Sequence, residues 1–154
     1  MSDIRKRVVI TGMGAITPLG LTPEIFWDAL LNGESGIGPI TLCDASAYPS
    51  RIAGEVTGFD PSMFMDAKES RRMARFSQLA VAAAANAIEN AFLNLSKIDS
   101  GRIGVVMGNG NGGFPTTEEN ARALISRGGM KVSPFFIPMI LPNMAAANVS
   151  RIFG

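Results

Sequence analysis

The sequence predicts an α/β domain in which parallel strands are joined by crossover helices. Short β-branched runs alternate with helical patterns along the chain. Residues 66–92 form a long amphipathic pattern with no Pro or Gly to interrupt it. The 154 residues, 47% hydrophobic and 18% charged, suit one globular domain with a sizeable core.

Each element has its own local reason. Residues 8–11 (VVIT) do not alternate, so they read as a strand buried on both faces. A turn follows over 12–20. Thr22 then offers an N-cap with Pro23 at the first helical position; Phe26, Ala29 and Leu30 form the apolar stripe, and Asn32-Gly33 ends the helix. Residues 36–50 read as loop and 52–56 as a second strand. Asp66 and Glu69 have the spacing of a capping box at the head of the long helix. Along that helix Met73, Phe76, Ala80, Ala83, Ala84, Ala87 and Ala91 recur every three or four positions, and their small size lets a neighbour approach closely. Asp99-Ser100-Gly101 turns into a third strand at 103–107. A glycine run at 108–113 precedes a second capping box, Thr116 and Glu119, for a helix closed by Gly128-Gly129. Pro142 opens a last helix.

Composition excludes several functions. A net charge of +1 gives no global signal for nucleic acid or for an anionic membrane, so any electrostatic role is local. One cysteine excludes an intrachain disulfide and suits a reducing compartment. Residues 1–12 have no apolar run long enough for a signal peptide, and 135–149, broken by Pro138, Pro142 and Asn143, fall short of the roughly 20 residues a membrane span needs. The expectation is a cytoplasmic protein. With no histidine, Ser-His and Cys-His catalysis and His-containing zinc sites are impossible within these residues. Cys43 has Asp44 beside it, the opposite of the electropositive setting a reactive thiol needs. No metal site or cofactor is expected.

Two features stay open at this level. Lys68, Arg71, Arg72 and Arg75 crowd cations into the head of the long helix, where the macrodipole favours anions; they form either a solvated basic face or a site for an acidic partner. Gly108, Gly110 and Gly113 satisfy G-x-G-x-x-G, which admits a nucleotide-binding domain. Against it, Pro115 and the Thr116 cap place the helix start after the glycine run rather than within it.

Five blocks in order, RVVITGMGAITPLG, YPSRIAGEV, KESRRMARFSQLAVAAA, RIGVVMGNGNGG and SPFFIPMILPNMAAANVSRIFG, resemble the N-terminal part of a β-ketoacyl-[acyl-carrier-protein] synthase of the KAS II type. The resemblance implies the N-terminal portion of a thiolase-like fold, with layered helices around a mixed, mostly parallel sheet. It implies an enzyme that condenses acyl thioesters with malonyl-acyl carrier protein in fatty acid synthesis, usually as a homodimer. Lys68, Arg71 and Arg72 match the family's docking residues for the acidic carrier protein. Phe135 and Phe136 match an aromatic pair near the acyl pocket and subunit interface, and Asn111 stands where an apolar residue usually lines the acyl channel. The family's nucleophilic cysteine follows the block ending SRIFG and its two histidines come later, so these residues are expected to be a fragment without reacting groups, leaving sheet edge and apolar surface uncovered. A non-catalytic, chain-length-factor-like subunit is the alternative within the same fold.

Overall fold

The computed structural model describes residues 6–154; the first five residues of the N-terminal stretch lie outside it. In chain order the regular elements are α1 (Pro23–Leu31), β1 (Ile37–Pro39), β2 (Ile52–Gly54), α2 (Ala67–Ser70), α3 (Arg75–Asn90), α4 (Phe114–Arg127), α5 (Phe136–Ile140) and α6 (Met144–Phe153), with single 3-10 turns between some of them. None of the described helices is long and apolar enough to cross a membrane.

α1 forms as its sequence requires. The Thr22 hydroxyl accepts from the Ile25 amide, Pro23 takes the first position, and Asn32 with Gly33 at φ 70° closes the helix. The hairpin partner of β2 lies inside what reads as loop. β1 pairs antiparallel with β2 in the register Ile37↔Gly54, Gly38↔Ala53, Pro39↔Ile52. Its Gly and Pro mask the strand, but on a two-stranded sheet Pro39 can sit at an edge and leave its missing N–H facing away. Glu55 continues the clasp by accepting from the Thr41 hydroxyl and amide and the Leu42 amide, bonds that hold its carboxyl below the usual range.

The expected parallel sheet is not formed among the described residues, whose one sheet is this antiparallel pair. Residues 8–11 and 103–107 run without strand partners. Far from being buried on both faces, Val8 is 93%, Ile10 85% and Val106 98% exposed. The physical reason is that a β-branched run specifies an extended backbone but not the neighbour whose N–H and C=O groups complete a ladder.

The long helical stretch is broken in two. α2 ends at Ser70, Ala74 is extended (ψ 159°), and α3 starts at Arg75. Gln78 sets the break: its side-chain amide donates to the Ser70 carbonyl at 2.8 Å and the Met73 carbonyl at 3.3 Å. Asp66 caps α2 as expected, through the Lys68 amide at 2.7 Å, but Glu69 does not complete the box and instead pairs with Arg151 of α6. Met73 lies in the core; on α3 the most buried residues are Ser77, Val81 and Ala82, with the alanine stripe half-buried around them.

α3 is the central element. It packs along α6, and Met65, Met73, Val81 and Val149 form a buried cluster joined by Phe64, Val105, Ile152 and Phe153. On another side its alanines admit the 12–14 segment so closely that a Cβ at Gly14 would lie 1.9 Å from the Ala83 carbonyl oxygen. Two asparagines fasten the same side: Asn86 donates to the Leu21 carbonyl at 2.7 Å, and Asn90 accepts from the Met13 amide at 3.0 Å.

Ser77, 1% exposed, has a hydroxyl without a hydrogen-bond partner among the described residues. Burying such a group costs about 1–3 kcal/mol. Ser77→Ala is therefore expected to raise stability by about 1 kcal/mol, seen as a higher urea midpoint at unchanged m-value. A lower midpoint would mean that the hydroxyl is satisfied.

α4 begins at Phe114, straight after Gly113 (φ 31°), with Pro115 inside its first turn. The Thr116–Glu119 capping box does not form, because Pro is compatible with a first turn and Gly113 reaches the left-handed region that starts the helix here. Gly128, at φ 83°, closes α4 as expected. α6 starts two residues after Pro142, whereas the short α5 carries no sequence signal of its own.

Candidate docking surface and acyl-pocket wall

The break between α2 and α3 decides where the four clustered cations point. Arg75, the first residue of α3, donates to the carbonyls of Val56 (3.0 Å) and Phe59 (3.5 Å), and its guanidinium lies 4.6 Å from the centre of the Phe59 ring. It is a structural clamp. Arg72, in the break itself, lies 4.9 Å from the centre of the Phe135 ring. Lys68, Arg71 and Arg72 are all exposed. Arg71 lines a cleft with Arg127 and Lys131, and Glu119 is the single carboxylate in that lining. Sequence reading missed Arg127 and Lys131. Their signal was the pair of basic residues flanking the Gly128-Gly129 stop, the end of a helix at which cations are favoured.

Phe135 and Phe136 come together at the start of α5, Phe135 as its N-cap and 40% exposed, Phe136 half-buried. Their turn is anchored to α4. The buried Asn120 accepts from the Ser133 amide at 2.9 Å while donating to the Thr116 carbonyl, and the Ser133 hydroxyl accepts from the Phe135 amide at 3.2 Å. At the other end of α5 a Cβ on Gly112 would lie 2.0 Å from the Ile140 carbonyl oxygen, and Asn109 donates to the Pro142 carbonyl at 3.0 Å. The glycine run is thus a flat seat for the end of α5. Asn111 sits on this run with an exposed side chain, so burial imposes no partner on its amide.

The structure therefore joins the two expected groups of residues through Arg72, which stands between the basic surface and Phe135. Cys43 belongs to neither. It lies exposed beside Asp44, Pro115, Glu118, Glu119 and Arg122, where carboxylates outnumber the one cation.

The family described as "Beta-ketoacyl synthase, N-terminal domain" matches residues 5–154. The chain belongs to the β-ketoacyl synthase family. The 3-oxoacyl-[acyl-carrier-protein] synthase 2 of Synechocystis sp. is 46% identical over 142 residues, covering 92% of this chain and 34% of the relative. A β-ketoacyl synthase from Burkholderia phymatum superposes with a TM-score of 0.78 at 29% identity, over 96% of this chain and 37% of that one. The ketosynthase complex AntDE:AntF, a type II PKS acyl-carrier protein with its ketosynthase, superposes with a TM-score of 0.78 at 26% identity, over 97% of this chain and 39% of that one. The chain spans about a third of the length of the curated relatives it matches. Its helices and small sheet are the N-terminal portion of the thiolase-like ketosynthase fold. Family membership also replaces the nucleotide-binding reading of the glycine run, which lacks the preceding strand that such a site needs.

Proposed function

We propose that these residues form the N-terminal part of a 3-oxoacyl-[acyl-carrier-protein] synthase, an acyltransferase that condenses acyl thioesters with malonyl-acyl carrier protein in fatty acid biosynthesis. The observation that carries this is the 46% identity over 92% of the chain to a synthase of that name. These residues supply docking surface and pocket wall; the nucleophile and the two histidines that the family resemblance implies belong to the segment following SRIFG and to later parts of the subunit. A homodimeric subunit in the cytoplasm is part of the same reading and rests on that resemblance.

Lys68, Arg71 and Arg72, extended by Arg127 and Lys131, form the surface that receives the acidic carrier. The reading is supported by cations left exposed at the head of α2 and around one cleft, and by a ketosynthase of similar fold solved with its acyl-carrier protein. Phe135, Phe136 and Asn111 line the approach to the acyl chain.

Rim charges chiefly steer encounter and are screened by salt. In the synthase carrying these residues, Lys68→Glu with Arg71→Glu is expected to lower kcat/KM for a carrier-bound acyl substrate about tenfold relative to a small acyl thioester, and to flatten its dependence on salt. Stopped-flow acylation at several ionic strengths reads both quantities. Equal losses with the two substrates would mean that these cations support the fold instead.

A further inference from the structure

Arg72 shares the basic cluster with Lys68 and Arg71, yet its surroundings differ. All three are exposed and none has an ion-pair partner among the described residues, but of the three only Arg72 has its guanidinium over an aromatic ring, that of Phe135. The backbone of Phe135 is already fixed: its amide donates to the Ser133 hydroxyl, its carbonyl accepts from the Met139 amide, and the turn is held by buried Asn120. The ring has a fixed root but remains partly exposed, so its direction depends on what lies against it. A planar guanidinium stacked on an aromatic face supplies such a contact, and Lys cannot reproduce its geometry. Arg72 is itself held, since it sits in the break that Gln78 imposes by bonding the carbonyls of Ser70 and Met73.

We propose that Arg72, besides its charge in the basic cluster, is a positioning residue for Phe135 and thereby a determinant of acyl-chain length. The inference rests on Phe135 lining the acyl pocket, as proposed above. One run of exposed basic residues thus reaches the pocket wall through Arg72, which sets the orientation of the Phe135 ring.

The test compares kcat/KM for a medium-chain and a long-chain acyl group on the same carrier protein, in the intact synthase carrying these residues. Because both substrates dock through the same carrier, a pure docking defect cancels in their ratio. Arg72→Gln and Phe135→Leu are each expected to move the ratio about fivefold in the same direction, and the double variant no further than the larger single change. Arg71→Gln removes a charge without touching the ring and is expected to lower both values while keeping their ratio. If Phe135→Leu moves the ratio and Arg72→Gln does not, or if their effects simply multiply, the positioning role is wrong and the pocket reading stands. If Phe135→Leu leaves the ratio unchanged, the pocket reading itself is wrong, and the inference goes with it. Thermal unfolding of each variant separates these outcomes from loss of fold.

Discussion

A preparation of these 154 residues alone is expected to show neither condensation nor decarboxylation of malonyl-acyl carrier protein above the uncatalysed rate. The chain contains no histidine, so the general acid–base groups that the family resemblance implies for malonyl activation are missing. Each such group contributes about 10²–10⁴-fold, and the covalent route needs an activated nucleophile in addition. The one thiol, Cys43, lies exposed beside Asp44, Glu118 and Glu119, with no histidine in the chain to serve as its base. The expected deficit against an active synthase is therefore at least about 10⁴-fold. Radiolabelled carbon dioxide release from malonyl-acyl carrier protein measures it, with a Cys43→Ala variant alongside. Turnover that survives purification and disappears in that variant would overturn the expectation and make Cys43 a nucleophile.

The largest expected effect on stability comes from a single methyl group. Gly14→Ala places a Cβ 1.9 Å from the Ala83 carbonyl oxygen and 2.7 Å from the Ala87 amide nitrogen, both backbone atoms of α3 that no rotamer change can move. Overpacking against side chains typically costs about 1–3 kcal/mol; here the helix or the whole 12–14 segment has to shift, so a loss of about 3 kcal/mol or more is expected. For a chain of this size that lowers Tm by roughly 6–12 °C. Gly38→Ala is the control, since nothing lies within 4 Å of the position its Cβ would take. Calorimetry showing equal Tm values for the two variants would mean that the 12–14 segment does not rest on α3.

The difference between what could and could not be read from the residues follows from interaction range. Thr22, Pro23 and Gly33 specify α1 through bonds within a few positions, and Gly128 ends α4 through its own φ, so both were legible. The break at residues 71–74 was not. It depends on Gln78 turning its side-chain amide to two carbonyls behind it, and in one dimension Gln78 is only another polar helix former. The 8–11 and 103–107 runs read as strands because β-branched residues favour extension, but pairing depends on a partner that local sequence does not name. β1 was hidden for the converse reason: Gly38 and Pro39 read as loop, and only the ladder to Ala53 and Ile52 makes them strand. At the candidate site, the identities of Lys68, Arg71, Arg72, Phe135 and Phe136 were accessible by resemblance. The contact between Arg72 and Phe135, far apart in the chain, was not.

The four-residue length of α2 bears on how recognition is coupled to folding. A single turn carries the full nucleation cost and cannot persist on its own in water. Its order comes from Asp66 at one end, from Gln78 at the other, and from the Glu69–Arg151 pair that reaches α6. The segment presenting Lys68 and Arg71 is consequently ordered by its neighbours, Met65 and Met73 of the core among them, rather than by its own helical bonds. In the docking proposed above, a partner gripping those cations would bind the ordered turn, and part of its binding energy would go into keeping that turn ordered. Recognition of that kind would be tied to the health of the core: loosening α3 against α6 would weaken binding with no change to any residue that the partner touches.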